Sequence, residues 1–231
     1  MFIAVEGMDG VGKTTISKML AEQCGLLYVE KPMQHLLKNT DKEYDELCYK
    51  IWDYENENIK LCFFALGNLL SRHFAKDVVV DRHILSSYFW DSNENNQAVF
   101  YQFAKGDVIP DLTFMLYSSL NTRNQRMKKR NENDQDLEDE VTQSYGYDKM
   151  LNFANEINLP YVIIDTENKT IDEVFNSCLD VIDDLKNNKY RNTAELCNHY
   201  NQLFFSKNQI RRLERKLNNE ENINWCWRSN M

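Results

Sequence analysis

The chain has 231 residues, 42% of them apolar, enough to bury one full core at the usual domain size of about 100–200 residues. Its formal charge of −9 argues against a protein that coats a nucleic acid polymer with its whole surface, since such binding calls for a broad basic face. No apolar run approaches the roughly 20 residues of a bilayer span, and the N-terminus lacks a basic leader, so no membrane partner and a cytoplasmic location are expected.

In chain order, short β-branched apolar runs at Phe2 to Val5, Leu26 to Val29, Val78 to Val80, Leu112 to Leu116 and Tyr161 to Ile164 alternate with longer stretches of helical spacing. Short buried strands separated by helices predict an α/β fold, a parallel sheet covered on both faces. Three of the seven glycines fall between residues 7 and 12. That concentration belongs to Gly7-Met8-Asp9-Gly10-Val11-Gly12-Lys13-Thr14, a full match to G-x-x-x-x-G-K-[ST] between the first strand and the helical run Thr15 to Cys24. Glycines let the backbone curl so that N–H groups of Gly10 to Thr15 face a polyphosphate, and the helix behind contributes its positive end. Lys13 supplies a mobile charge for the β- and γ-phosphates of ATP, and the Thr14 hydroxyl suits Mg²⁺. A chance glycine-rich turn with these four fixed positions arises in roughly one chain of this length per hundred, before the flanking strand and helix are required.

At the end of the third apolar run, Asp81 and Arg82 stand at the edge where open parallel sheets bind ligands. Asp81 is a candidate for the metal's water shell, Arg82 for an acceptor phosphate gripped by its planar fork. An ion pair closing a strand is the bland alternative. Six cysteines, at 24, 48, 62, 178, 197 and 226, show no Cys-x-x-Cys or metal-ligand spacing, so reduced thiols are expected. Residues 119–157 form a charged block, basic over 121–133 and acidic over 134–140, that suits two solvated helices with a mobile connection. The last forty residues repeat apolar side chains at helical spacing, from Leu196 and Tyr200 to Leu217, and end in Trp225-Cys226-Trp227. The expected organisation is a P-loop kinase domain over 1–188, with a lid region at about 121–140, and a helical C-terminal extension over 189–231.

Three segments resemble the thymidylate kinase family and, more broadly, the nucleoside and deoxynucleoside monophosphate kinases. They are Phe2 to Thr15, the run Asp81-Arg82-His83-Ile84-Leu85-Ser86-Ser87 against the family's D-R-Y-x-x-S-S, and Phe103 to Phe114 leading into the fourth strand. The likeness spans about residues 1–185. It implies that Asp9 lies near the acceptor sugar and metal, that Arg82 binds the acceptor phosphate, and that Ser86 belongs to the acceptor side. Glu30 occupies the place of the family's R-E-P motif, where a carboxylate orients the acceptor; a solvated strand-end glutamate is the alternative. Phe64 falls where the family stacks an aromatic ring on the acceptor base, against the alternative of a core aromatic. Gly67 and Asn68 stand where the family has a base-reading arginine, and the next arginine, Arg72, is taken as its replacement one turn later. Trp90 takes the place of a tyrosine in the pocket wall.

The basic run of residues 123–130 sits where the family has its lid, and Arg126 and Arg130, four apart on one face, are the candidates for charge closing over the transferring phosphoryl. A solvated helix face is the rival. The expected function is ATP- and Mg²⁺-dependent phosphorylation of a deoxynucleoside monophosphate, thymidine monophosphate or a related nucleotide. A deoxynucleoside kinase using Glu30 on the sugar hydroxyl is the second reading, and a non-catalytic nucleotide-binding regulator the third. Trp225 and Trp227, if exposed, would anchor a partner or a second copy of the chain as a homodimer.

Overall fold

The computed structural model describes residues 1–105, 108–130 and 145–205. Five strands, β1 (Phe2–Glu6), β2 (Leu27–Val29), β3 (Val78–Asp81), β4 (Leu112–Tyr117) and β5 (Tyr161–Asp165), form one parallel sheet in the order β2-β3-β1-β4-β5. These are the five apolar runs of the sequence. They read as unbroken apolar stretches because helices cover both faces, so neither set of alternating side chains meets water. The alternation still decides which core each residue joins: Ile3 and Val5 enter the larger cluster, while Phe2 and Ala4 join Val29, Val78 and Val80 on the opposite face. Each fully buried aliphatic or aromatic side chain there contributes about 1.5–3 kcal/mol.

The covering helices are α1 (Lys13–Cys24), α2 (Pro32–Leu37), α3 (Asp41–Trp52), α4 (Glu57–Ser71), α5 (Ile84–Asp91), α6 (Gln97–Phe103), α7 (Leu120–Arg130), α8 (Gly146–Glu156), α9 (Ile171–Lys186) and α10 (Thr193–Phe204). Their ends follow local chemistry. Thr40 with Glu43 and Thr170 with Glu173 close reciprocal capping boxes at the starts of α3 and α9, and α1 stops at Gly25 in the left-handed region. Among the described residues no helix is long and apolar enough to cross a membrane. The five described cysteines are free thiols.

The described part of the C-terminal extension is not an appendage. Helix α10 lies on the edge strand β5, burying Leu196 and Cys197 in the main core. Its Asn201 amide mimics a strand partner: Nδ2 donates to Tyr161 O at 3.0 Å, and Oδ1 accepts from Ile163 N at 2.8 Å. An open sheet edge is thereby closed by one side chain. The expected boundary at 188/189 therefore does not separate two cores, because the helix that follows it completes the first. Residues 206–231, with Trp225 and Trp227, and residues 131–140 of the expected lid lie outside the described residues. Asn201→Ala removes both bonds and leaves two β5 backbone groups unpaired, so a loss of about 1–3 kcal/mol is expected in denaturant unfolding.

Candidate active site

The sheet is parallel and the loops that leave the carboxyl ends of its strands converge, which places the sequence's chemically distinctive residues at one edge. After β1 the chain turns through Gly7, Gly10 and Gly12, all with positive φ (137°, 80° and 97°). At two of them a side chain is excluded outright: a Cβ on Gly7 would meet Leu116 O at 2.4 Å, and one on Gly10 would meet Arg123 O at 2.8 Å. The second contact seats the phosphate loop directly against α7.

Lys13 opens α1, is buried, and donates to Met8 O at 2.9 Å across the loop. Burial, with Arg82 adding repulsion, lowers its amine to about 8, so an arriving polyphosphate would strengthen its charged form. Asp9 sits 3.6 Å from the Lys13 amine and accepts a hydrogen bond from Arg82 Nη2. Burial works to raise the Asp9 pKa, but these two cations outweigh it and hold the carboxyl below its ordinary range. Arg82 itself takes a left-handed backbone, φ 70°, at the β3–α5 junction. A non-glycine residue in that region costs roughly 1–2 kcal/mol, and the outlier sits at the centre of the site.

Thr14 Oγ1 donates to Asp81 Oδ2 at 2.5 Å, while Asp81 Oδ1 is buried and has no hydrogen-bond partner among the described residues. Burial raises the Asp81 pKa. A hydroxyl oxygen and an orphaned carboxylate oxygen beside the phosphate loop fit a hard, oxygen-seeking divalent cation such as Mg²⁺.

The donor cleft, of about 850 Å³, is lined by the loop from Gly10 to Thr15, by Arg126 and Arg130 of α7, and by Thr166 to Ile171 after β5 in part. Arg126 is seated firmly, Nη1 on Thr166 Oγ1 at 2.9 Å and Nη2 on Thr166 O at 2.6 Å. Arg123 departs from the picture of a solvated basic face: it is buried, with its guanidinium 5.7 Å from the centre of the Tyr147 ring.

A second cleft, of about 590 Å³, opens between α2, α3, α4 and α5. Phe64 and Trp90 line it as expected. The two clefts share Asp9, Glu30, Lys31 and Arg82, so the phosphate loop and the strand ends form a common threshold. Lys31 was not a sequence candidate. Its ammonium lies 3.1 Å from Asp45 Oδ1 and over the Tyr44 ring, and its neighbour Glu30 accepts from Tyr28 Oη at 3.1 Å.

One acceptor candidate is corrected. Arg72 is at the opposite edge of the sheet, donating to Asp111 Oδ1 at 2.9 Å and Ile109 O at 2.5 Å beneath the Phe2 ring, because one turn beyond Asn68 it stands just past the end of α4, carried along the helix axis toward the strand starts. Ser86 lines the second cleft, but its hydroxyl donates to Glu6 Oε2 at 2.5 Å. Glu6 is wholly buried at the end of β1 and also accepts from the backbone N–H groups of His83, Leu85 and Ser86, capping α5; burial pushes its pKa up against those four bonds. The only charge in an otherwise apolar first strand was the available signal.

Glu167, also missed, ties the loop after β5 to the start of α7. Its carboxylate accepts from Ser118 Oγ, Ser119 N, Ser119 Oγ and Thr122 Oγ1 at 2.6–2.9 Å. Burial opposes ionisation, yet these donors bring its pKa down to about 2.

Fold and site together define a P-loop phosphotransferase in which two adjoining clefts meet at the strand ends. Residues 3–147 match the family described as AAA domain. The probable thymidylate kinase of Methanocaldococcus jannaschii is 32% identical over 196 residues, covering 81% of this chain and 96% of that protein. The cytidylate kinase of the same organism is 25% identical, covering 80% and 99%. A solved thymidylate kinase from Candida albicans, 20% identical, shares the fold with a TM-score of 0.59 over 80% of this chain and 92% of that one. The chain belongs to the thymidylate kinase-like family of P-loop nucleotide kinases.

Because the folded pKa of Glu167 is depressed, its contribution to stability is complete above the unfolded value near 4.5 and is lost as pH falls toward about 2. Glu167→Gln is expected to lower Tm at neutral pH and to flatten the loss of stability across that acid window, as read by thermal melts between pH 2 and 6.

Proposed function

We propose that the protein transfers the γ-phosphate of ATP to a deoxynucleoside monophosphate, with thymidine monophosphate among its acceptors. The observation that carries this reading is the shared threshold: Arg82, a fork suited to a phosphate, borders both clefts beside Asp9 and Lys31. An acceptor phosphate held there would face the terminal phosphate of a donor lying on the loop.

Transfer then rests on positioning and charge. Lys13 exchanges its contact with Met8 O for the β- and γ-phosphates. Arg126, braced on Thr166, and Arg130 bring positive charge to the oxygens of the moving phosphoryl. Asp9 pairs with both Lys13 and Arg82 and keeps them oriented. Thr14 and Asp81 would hold Mg²⁺, which would supply positive charge against the donor's phosphates when bound. The names of the sequence relatives, one thymidylate and one cytidylate kinase, favour a monophosphate acceptor without choosing its base.

Glu30 supports a second reading. It lines both clefts, and a carboxylate at that junction could instead take the proton of a nucleoside 5′-hydroxyl. ADP production with thymidine monophosphate against thymidine separates the two.

Lys13→Ala is expected to reduce turnover at least about 100-fold with the fold intact; near-normal ADP release would refute both the lysine's role and catalysis at this loop. Arg82→Lys should raise KM for the acceptor more than for ATP, because an ammonium cannot reproduce a two-pronged phosphate contact. Across the four common deoxynucleoside monophosphates, at least one besides thymidine monophosphate should be used within about a hundredfold of its kcat/KM, since an aromatic wall discriminates less than a hydrogen-bonded base edge.

A further inference from the structure

The acceptor cleft has an aromatic side, with Tyr49, Trp52, Phe64 and Trp90, and a polar side built on α4 and α5. On the polar side Ser87 and Asp91 are one helical turn apart, and Asn68 Nδ2 donates to Ser87 Oγ at 2.9 Å. The cleft's two cationic side chains, Lys31 and Arg82, are both at the threshold shared with the donor cleft. Arg72, which would have brought a guanidinium to the base, is bonded elsewhere.

Asp91 is the unexplained member of this group. It is the last residue of α5, where the helix dipole disfavours an anion, and it is only partly exposed. Its carboxylate makes no hydrogen bond and no ion pair within 4.0 Å among the described residues. The nearby Lys149 instead places its ammonium on Phe89 O at 2.8 Å and Ser92 O at 3.1 Å. Lys60 of α4 and Lys149 of α8 act on Asp91 only at longer range, and burial raises its carboxyl to about 7. Such a group destabilises the free protein, and its placement has a use if a ligand supplies the missing donor.

We infer that Asp91 reads the acceptor base by accepting a hydrogen bond from an exocyclic amino group, so that amino-bearing bases of the cytosine or adenine type are favoured over thymine and uracil. This rests on the proposed nucleotide-kinase reading of the same cleft. An aromatic wall stacks any base, whereas a donating amino edge favours the ionised, acceptor-only form of the Asp91 carboxylate, and that form faces a carbonyl edge unfavourably. Asn68 and Ser87 continue the polar side with an amide and a hydroxyl, adaptable partners for the rest of the base edge.

The test is kcat/KM for the cytosine, adenine, thymine and uracil deoxynucleoside monophosphates with the full chain and with Asp91→Asn, whose amide has the carboxylate's shape and can donate. The wild type should favour the amino-bearing acceptors by about tenfold or more, and D91N should cancel or reverse that preference, read as the ratio of kcat/KM values between the two acceptor classes within each protein. The wild type should also lose about tenfold or more on the cytosine analogue that lacks only the 4-amino group, a comparison needing no folded variant. Equal use of that analogue, or a wild-type preference for thymine, overturns the inference and leaves the kinase reading standing. If no monophosphate is phosphorylated, the kinase reading fails by itself. Equilibrium binding of deoxycytidine against thymidine then decides the base inference: tighter binding of deoxycytidine that requires Asp91 supports it, and equal binding overturns it.

Discussion

The arrangement depends on the Asp9 carboxylate, which holds two buried or half-buried cations together at the point where three chain segments meet. Lys13 comes from the start of α1 and Arg82 from the end of β3, 69 positions later in the chain, yet both pair with one side chain in the loop between β1 and α1. Removing the Asp9 carboxylate would leave these two cations uncompensated beside each other, which typically costs several kcal/mol. The same contact joins function to fold: the loop that receives one nucleotide and the arginine suited to the other are kept in register by an ion pair. The left-handed backbone of Arg82 is compatible with that pairing and is held by the surrounding β3–α5 turn, whose first amides are bound by Glu6.

Around this centre the donor side is assembled from pieces with little sequence proximity. Gly10 lets the phosphate loop press on the backbone of α7, Glu167 grips the first residues of α7, and Thr166 beside it holds Arg126. A shift of the loop after β5 therefore moves the lid arginines and the phosphate loop's wall together. Helix α10 extends that chain of support, because its Asn201 fixes β5 from the outer edge. The C-terminal helix thus acts on the donor cleft through the strand it covers.

The acceptor side follows a different logic. Its aromatic wall is generous and partly exposed, Trp90 and Trp52 being about half accessible (45% and 50%), so shape alone provides weak discrimination. On the proposed reading, selectivity rests on the few polar groups of α4 and α5, where the cleft carries an amide, a hydroxyl and a carboxylate.

The strands and the phosphate loop were legible in the residues alone because their signals are local: continuous apolar runs need both faces covered, and G-x-x-x-x-G-K-[ST] encodes a backbone shape within eight positions. Lys13 and Thr14 could be named from that motif, Asp81 and Arg82 from their place at the end of a strand, and Asp9 from the family resemblance. Tertiary structure alone decided which of the equivalent-looking residues faces the site. Arg123, Arg126 and Arg130 share one basic run, but packing on Tyr147 buries the first and turns the other two to the cleft. Arg72 is one turn from Asn68, and that step along the axis, past the end of α4, carries it to Asp111. Ser86 meets a glutamate 80 positions away, Glu167 meets serines and a threonine 45–49 positions away, and α10 completes a core whose first strand residue is Ile3. Such contacts depend on the orientation of whole helices against the sheet, and a one-dimensional pattern specifies which side chains can bury or bond, while the packing of the elements specifies with whom.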